Sequence, residues 1–189
     1  VRLSQPRIAP LAVADLDDDQ REALATVMRD GRAPLNIFAT LAHAPKALTR
    51  FLQWGDYVLS RRNNLPARER EILILRVGFL CKSGYEFAQH KVIGLREGLK
   101  EHDIEAIKEG ASSINWNPAE ASLLRAADEL VFAHCISDAT WADLTHHFDQ
   151  KQCMDVVFTT GQYTQVSMML NSFGVQLDPG LTLDPDLKA

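Results

Sequence analysis

From Ile72 to Cys81 the chain reads ILILRVGFLC, apolar on every side and interrupted only by Arg76 and the small Gly78. A helix with that pattern has no face to turn to water and must be buried. Its β-branched residues would also suit a strand over 72–77. The preceding stretch decides for a helix, because Pro66 fits a first helical position and a charged turn follows it. Arg76 inside such a helix needs an acidic partner, so structural pairing is its expected role.

The rest of the chain carries the same period. DLDDDQREALATVMRD places acidic residues in a first turn, where they complement the helix dipole, and GRAP ends it. LNIFATLAHAP reads as a short helix closed by Pro45. KALTRFLQWGDYVLSRRNN has apolar residues at helical spacing and stops at Asn63-Asn64. SGYEFAQHKVIGLREG follows, with Tyr85, Ala88, Val92, Leu95 and Leu99 as its core stripe. LKEHDIEAIKEG is short and ends at Gly110. A helix opening at Pro118, another capped by Ser137, and a long apolar one stopped near Gly174 complete the series. The expectation is an all-α, single-domain bundle of about eight helices over residues 16–174. An extended arm (1–15) precedes it and an irregular, Pro-rich acidic tail (175–189) follows it.

Composition narrows the function. The 189 residues suit one domain, and 46% apolar content is enough for a core. A net charge of −5 argues against a non-specific nucleic-acid binder; short clusters such as Arg61-Arg62 and Arg68/Arg70 read as solvated helix ends. No apolar run reaches the roughly 18 residues of a membrane span, and the start lacks a signal-peptide core. Cys81, Cys135 and Cys153 form no CxxC and no zinc-spaced cluster, as expected of reduced cytoplasmic thiols. His146-His147 are adjacent and point apart on a helix, and His43, His102 and His134 stand alone. No metal site and no cofactor are expected.

The chemistry-bearing residues gather in one stretch, CKSGYEFAQH (81–90). Glu86 and His90 are four apart and share a helix face, so a carboxylate can orient an imidazole there. The residues also admit a structural account, a capping box in which Ser83 caps the helix and Glu86 reaches back. Glu71 sits where its helix turns from charged to buried, and a salt bridge is its expected state. Cys81, near a helix N-terminus, is either an activated thiol or a small buried apolar residue. Tyr163 and Asn171 are polar groups in the apolar last helix, placed either to bond structurally or to line a pocket.

The segment LPAREREILILRVGFLCKSGYEFAQHKVIGLREGLKEHDIEAI resembles the core motif of the carboxymuconolactone decarboxylase family, which includes the alkylhydroperoxidase-D-like proteins. The resemblance runs from Leu35 to Gly174 and is strongest over 65–107. It is carried by Arg70-Glu71, Tyr85-Glu86, His90 and the Gly98-Leu99 pair. It implies an all-α fold, a homo-trimer or hexamer, and an active site at the start of the YEFAQH helix. The family's peroxidase branch relays protons through a Glu and a His around a CxxC pair. Those relay residues fall on Glu71 and His90, whereas the two thiol positions fall on Ser83 and Glu86. Cys81 lies two residues too early to replace the first thiol.

The thiol-free pattern is similar to the family's lactone decarboxylase branch. The expected function is therefore a cofactor-independent lyase, a decarboxylase of a small cyclic carboxylic acid such as a carboxymuconolactone-like lactone. His90 would donate the proton, Glu86 would orient it, and Glu71 would complete the relay. Ser83, Tyr85, Tyr163 and Asn171 would contact substrate. A non-catalytic ligand-binding or assembly protein is the second expectation, and a hydroperoxidase using Cys81 the third.

Overall fold

The computed structural model describes residues 3–28 and 33–188. Nine α-helices run in chain order among them. They are α1 (Asp18–Leu24), α2 (Asn36–Leu41), α3 (Pro45–Leu59), α4 (Ala67–Leu80), α5 (Gly84–Arg96), α6 (Glu101–Glu109), α7 (Pro118–Ala133), α8 (Asp138–His147) and α9 (Gln150–Phe173). Short 3₁₀ turns stand at Val13–Asp15 and Pro185–Leu187. No strand forms among the described residues.

The buried helix foreseen at 72–81 is the hub. Every residue of α4 from Glu71 to Gly78 is buried, and α5, α6, α7 and α9 pack around it. Its two sides serve two cores. Leu73, Ile74 and Val77 join α7 and α9 through Leu123, Ala127, Val156 and Val166. Ile72 and Leu75 meet Phe87, Ile104, Ile107 and Leu124. A third, smaller cluster seats α1 against α3 through Leu24, Ala42 and Leu48.

Arg76 finds the partner its position demands. Its guanidinium binds Asp128 of α7 through two bonds, of 2.6 and 2.9 Å, and donates to the carbonyls of Ile107 and Lys108 at 2.8 Å each. Gly110 makes room for this: its φ is +89°, and a Cβ there would stand 2.7 Å from the guanidinium.

Several local expectations need correction. Helix α1 ends at Leu24, short of Asp30, and the expected stop at Gly31-Arg32 lies outside the described residues. Pro45 does not close α2 but opens α3, where its missing N–H costs nothing. Pro66 precedes α4 as its N-cap. Val92 is exposed, and the buried face of α5 instead holds Phe87, Glu86 and His90. Segments on either side of the helices are tied to them. The Arg7 and Ile8 amides donate to the Phe173 carbonyl at 2.8 and 3.2 Å, and Lys108 holds Asp184 and Asp186 at 2.9 Å each. Val1 and Arg2 of the expected arm, and Ala189 of the tail, lie outside the described residues.

Candidate active site

Three helices converge on one buried polar cluster. Helix α4 brings Glu71 and Gly78, two turns apart on one side. Helix α5 brings Glu86 and His90, one turn apart. Helix α9 brings Gln162, Tyr163 and Ser167. All of these side chains are at most 7% exposed.

Glu71 Oε2 lies 2.8 Å from His90 Nδ1. That contact holds the imidazole by one nitrogen and leaves the other without a partner among the described residues. The ring also stands edge-on to Tyr163, with centroids 4.8 Å apart. Glu86 takes no part in holding His90. Its Oε2 accepts a hydrogen bond from Ser167 Oγ at 3.0 Å, and its Oε1 has no partner. The glycine at 78 makes that placement possible, because a Cβ there would come within 3.0 Å of Oε1. Burial drives the Glu86 carboxyl well above the usual carboxylate range, and the single bond from Ser167 only partly opposes this. The Tyr163 phenol is pushed up as well, first by burial and then by the nearby Glu71 and Glu86.

These groups border a cavity of about 740 Å³, within the range of small-molecule sites. Glu86, His90, Gln162 and Tyr163 line it, and apolar residues from α2, α3 and α9, among them Phe38, Phe51 and Val166, supply its walls. Among the described lining residues there is no Lys or Arg. Tyr85 and Gln89 also line it, and both bind Asp178 of the tail. The Tyr85 hydroxyl donates to that carboxylate, Gln89 Nε2 donates at 2.7 Å, and the Asn36 amide at the start of α2 donates at 2.8 Å.

The sequence-derived candidates therefore divide. His90, Glu86 and Glu71 come together, with the roles of the two carboxylates exchanged: Glu71, not Glu86, orients the imidazole. The capping box does not form. Ser83 is the N-cap of α5 but makes no side-chain cap bond, and Glu86 is turned inward toward Ser167. Tyr85 and Tyr163 face the cavity. Ser83 is buried outside its lining. Asn171 donates to the Cys81 carbonyl at 2.9 Å, which fastens the end of α4, and it lies outside the cavity lining. Cys81 is the C-cap of α4 and is absent from the cavity wall. Gln89, Gln162, Ser167 and Asp178 are the site residues that the sequence reading missed. Gln162 and Ser167 carried the signal that singled out Tyr163, a polar side chain in an apolar helix. Asp178 carried none, since its partners lie 89 to 142 residues away. Among the described residues no three His, Cys, Asp or Glu side chains are placed to share a metal ion.

Residues 45–129, from the start of α3 into α7, match the model of the Carboxymuconolactone decarboxylase family. Over that stretch, a little under half of its length, the chain is similar to that family. Solved structures of the same fold extend over nearly its whole length. An uncharacterized peroxidase-related protein from Ralstonia eutropha JMP134, with an alkylhydroperoxidase AhpD core, is 22% identical with a TM-score of 0.77 over 93% of this chain and 95% of that one. A peroxidase-related protein from Silicibacter sp. TM1040 is 15% identical, with a TM-score of 0.76 over 94% and 92%. A variant of the debrominase Bmp8, in complex with 2,3,4-tribromopyrrole, is 14% identical, with a TM-score of 0.68 over 93% and 94%. At these identities the likeness is one of fold. No curated protein sequence gives a significant match.

Proposed function

We propose that this protein belongs to the carboxymuconolactone decarboxylase family and is a cofactor-independent acid–base lyase that decarboxylates a small cyclic carboxylic acid. One observation carries the reading. A carboxyl whose burial favours its neutral form, with one oxygen unpartnered, borders an apolar cavity beside an imidazole fixed by a second carboxyl group.

In this scheme Glu86 is the acid. The bond from the ring to the substrate carboxylate breaks, CO₂ leaves, and the electron pair spreads into the conjugated ring as a dienolate. Glu86 then gives its proton to carbon. Glu71 accepts the Nδ1–H of His90, so Nε2 is the free nitrogen; between turnovers Nε2 takes up a proton from water and passes it to the Glu86 carboxylate. The cavity walls assist the first step. A carboxylate among apolar side chains, with no described cation in the lining, is poorly solvated, and loss of CO₂ relieves that cost. We also propose a homo-oligomer, for which the exposed apolar stripe of α9 (Met154, Val157, Met168) beside Trp54 offers a surface.

The test is CO₂ release from carboxylated lactones and β-keto acids, without metal or thiol. Glu86→Gln and His90→Ala are each expected to lose at least about 100-fold in turnover. Full turnover by His90→Ala would overturn the assigned roles. No release by the wild-type protein from any member of the series would favour the second reading, a cavity that binds a small ligand without transforming it.

A further inference from the structure

Gln162 has no part in the proton-transfer scheme, yet its placement needs an explanation. It lies in the middle of α9, is 5% exposed, and lines the cavity. No described residue hydrogen-bonds its amide, although that group can donate two hydrogen bonds and accept two. Along the same face of α9 the next cavity residues are Val166 and Leu170, and α3 contributes Phe51 and Val58 to the walls. The amide faces the cavity space, so its partner there is water or an oxygen of a bound molecule, a choice that a leucine or methionine would not offer. The amide is also neutral. It pairs with a hydroxyl or a carbonyl and supplies no counter-charge to an ion.

We propose that Gln162 is a ligand-recognition residue, and that the cavity takes a compact, mostly apolar ring bearing a neutral hydroxyl or carbonyl oxygen which this amide reads. The apolar walls accept the ring. In the decarboxylation scheme the oxygen is a ring substituent other than the departing carboxylate. The inference rests on that scheme only in placing the ligand in the same cavity, and binding without turnover tests it separately.

The probes are toluene and 4-methylphenol, which differ by one hydroxyl. Binding is measured for the wild-type protein, Gln162→Met and Gln162→Leu. Wild type is expected to favour the phenol over toluene by roughly two- to tenfold, the span of one net hydrogen bond. Both variants are expected to lose that preference while binding toluene at least as well as wild type does. Toluene binding also reports that the variants are folded, and the near-isosteric methionine guards against a packing failure of the leucine. Equal affinity of the wild-type protein for the two probes would overturn the proposal. So would a phenol preference that survives in either variant, because Tyr163 or Glu86 would then be the reader. Absence of CO₂ release by the wild-type protein, with a phenol preference that the two variants lose, would count against the acid–base scheme and leave the recognition role standing.

Discussion

Glu86→Gln should make the protein more stable as it makes it inactive, and the gain should depend on pH. Glu86 is 2% exposed, and only one bond, from Ser167, supports its charged form. Its native pKa is therefore raised above the ordinary value of 4.5. The sign follows directly. Between 4.5 and the native value, the folded protein holds a proton that the unfolded chain has released, so stability is full at low pH and falls as pH rises. Within that window the loss approaches about 1.4 kcal/mol per pH unit. Glutamine keeps the shape and can still accept from Ser167 but cannot ionise. The stability gap between variant and wild type should open from near pH 4.5, grow at up to about that slope, and level off above the native pKa. For a chain of this size, one unit into the window corresponds to a rise in Tm of roughly 3–5 °C. Urea unfolding followed by tryptophan fluorescence from pH 4 to 8 measures it. Parallel stability curves for the two proteins would refute both the buried neutral carboxyl and the acid role built on it.

Three further substitutions probe the frame and the site. Asp128→Ala leaves the Arg76 guanidinium buried with only carbonyl partners and should cost about 3 kcal/mol in urea unfolding. Asp178→Ala removes the acceptor shared by Tyr85, Gln89 and the first amide of α2; a loss of about 1–3 kcal/mol and faster hydrogen exchange at the start of α2 are expected. Unchanged exchange there would show that the tail does not hold that helix. Cys81→Ala should leave CO₂ release within about twofold of wild type, because the thiol does not reach the cavity wall; a large loss would restore the thiol as a participant.

Periodicity disclosed the helices because each helix buries a defined face, and the all-apolar run of α4 disclosed the hub. What it could not show was which way a single polar side chain turns. Ser83 and Glu86 stand at capping-box spacing, yet burial of α5 against α4 and α9 turns Glu86 inward to Ser167, 81 residues away. Glu71 and His90 are 19 residues apart on different helices, so nothing local revealed that they pair. Glu71, Glu86 and His90 were legible as residue types in a motif. Which carboxyl group pairs with the imidazole is a tertiary fact, fixed by the crossing of three helices. The ends of helices were misread where proline was involved, because a proline that stops one helix equally well starts the next, as Pro45 does for α3.

Helix α9 lies wholly outside residues 45–129, as do α1 and α2. Glu71, Glu86 and His90 lie within that span, whereas Gln162, Tyr163 and the aromatic wall residue Phe38 do not. The matched span thus holds the Glu71–His90 pair, Glu86 and the α3 wall, and α1, α2 and α9 furnish the rest of the cavity from outside it. Two chains can therefore share Glu71, Glu86 and His90 and still differ in the walls that α2 and α9 supply to the cavity. For a cavity built this way, the last long helix has to be read beside the matched span before a ligand is assigned.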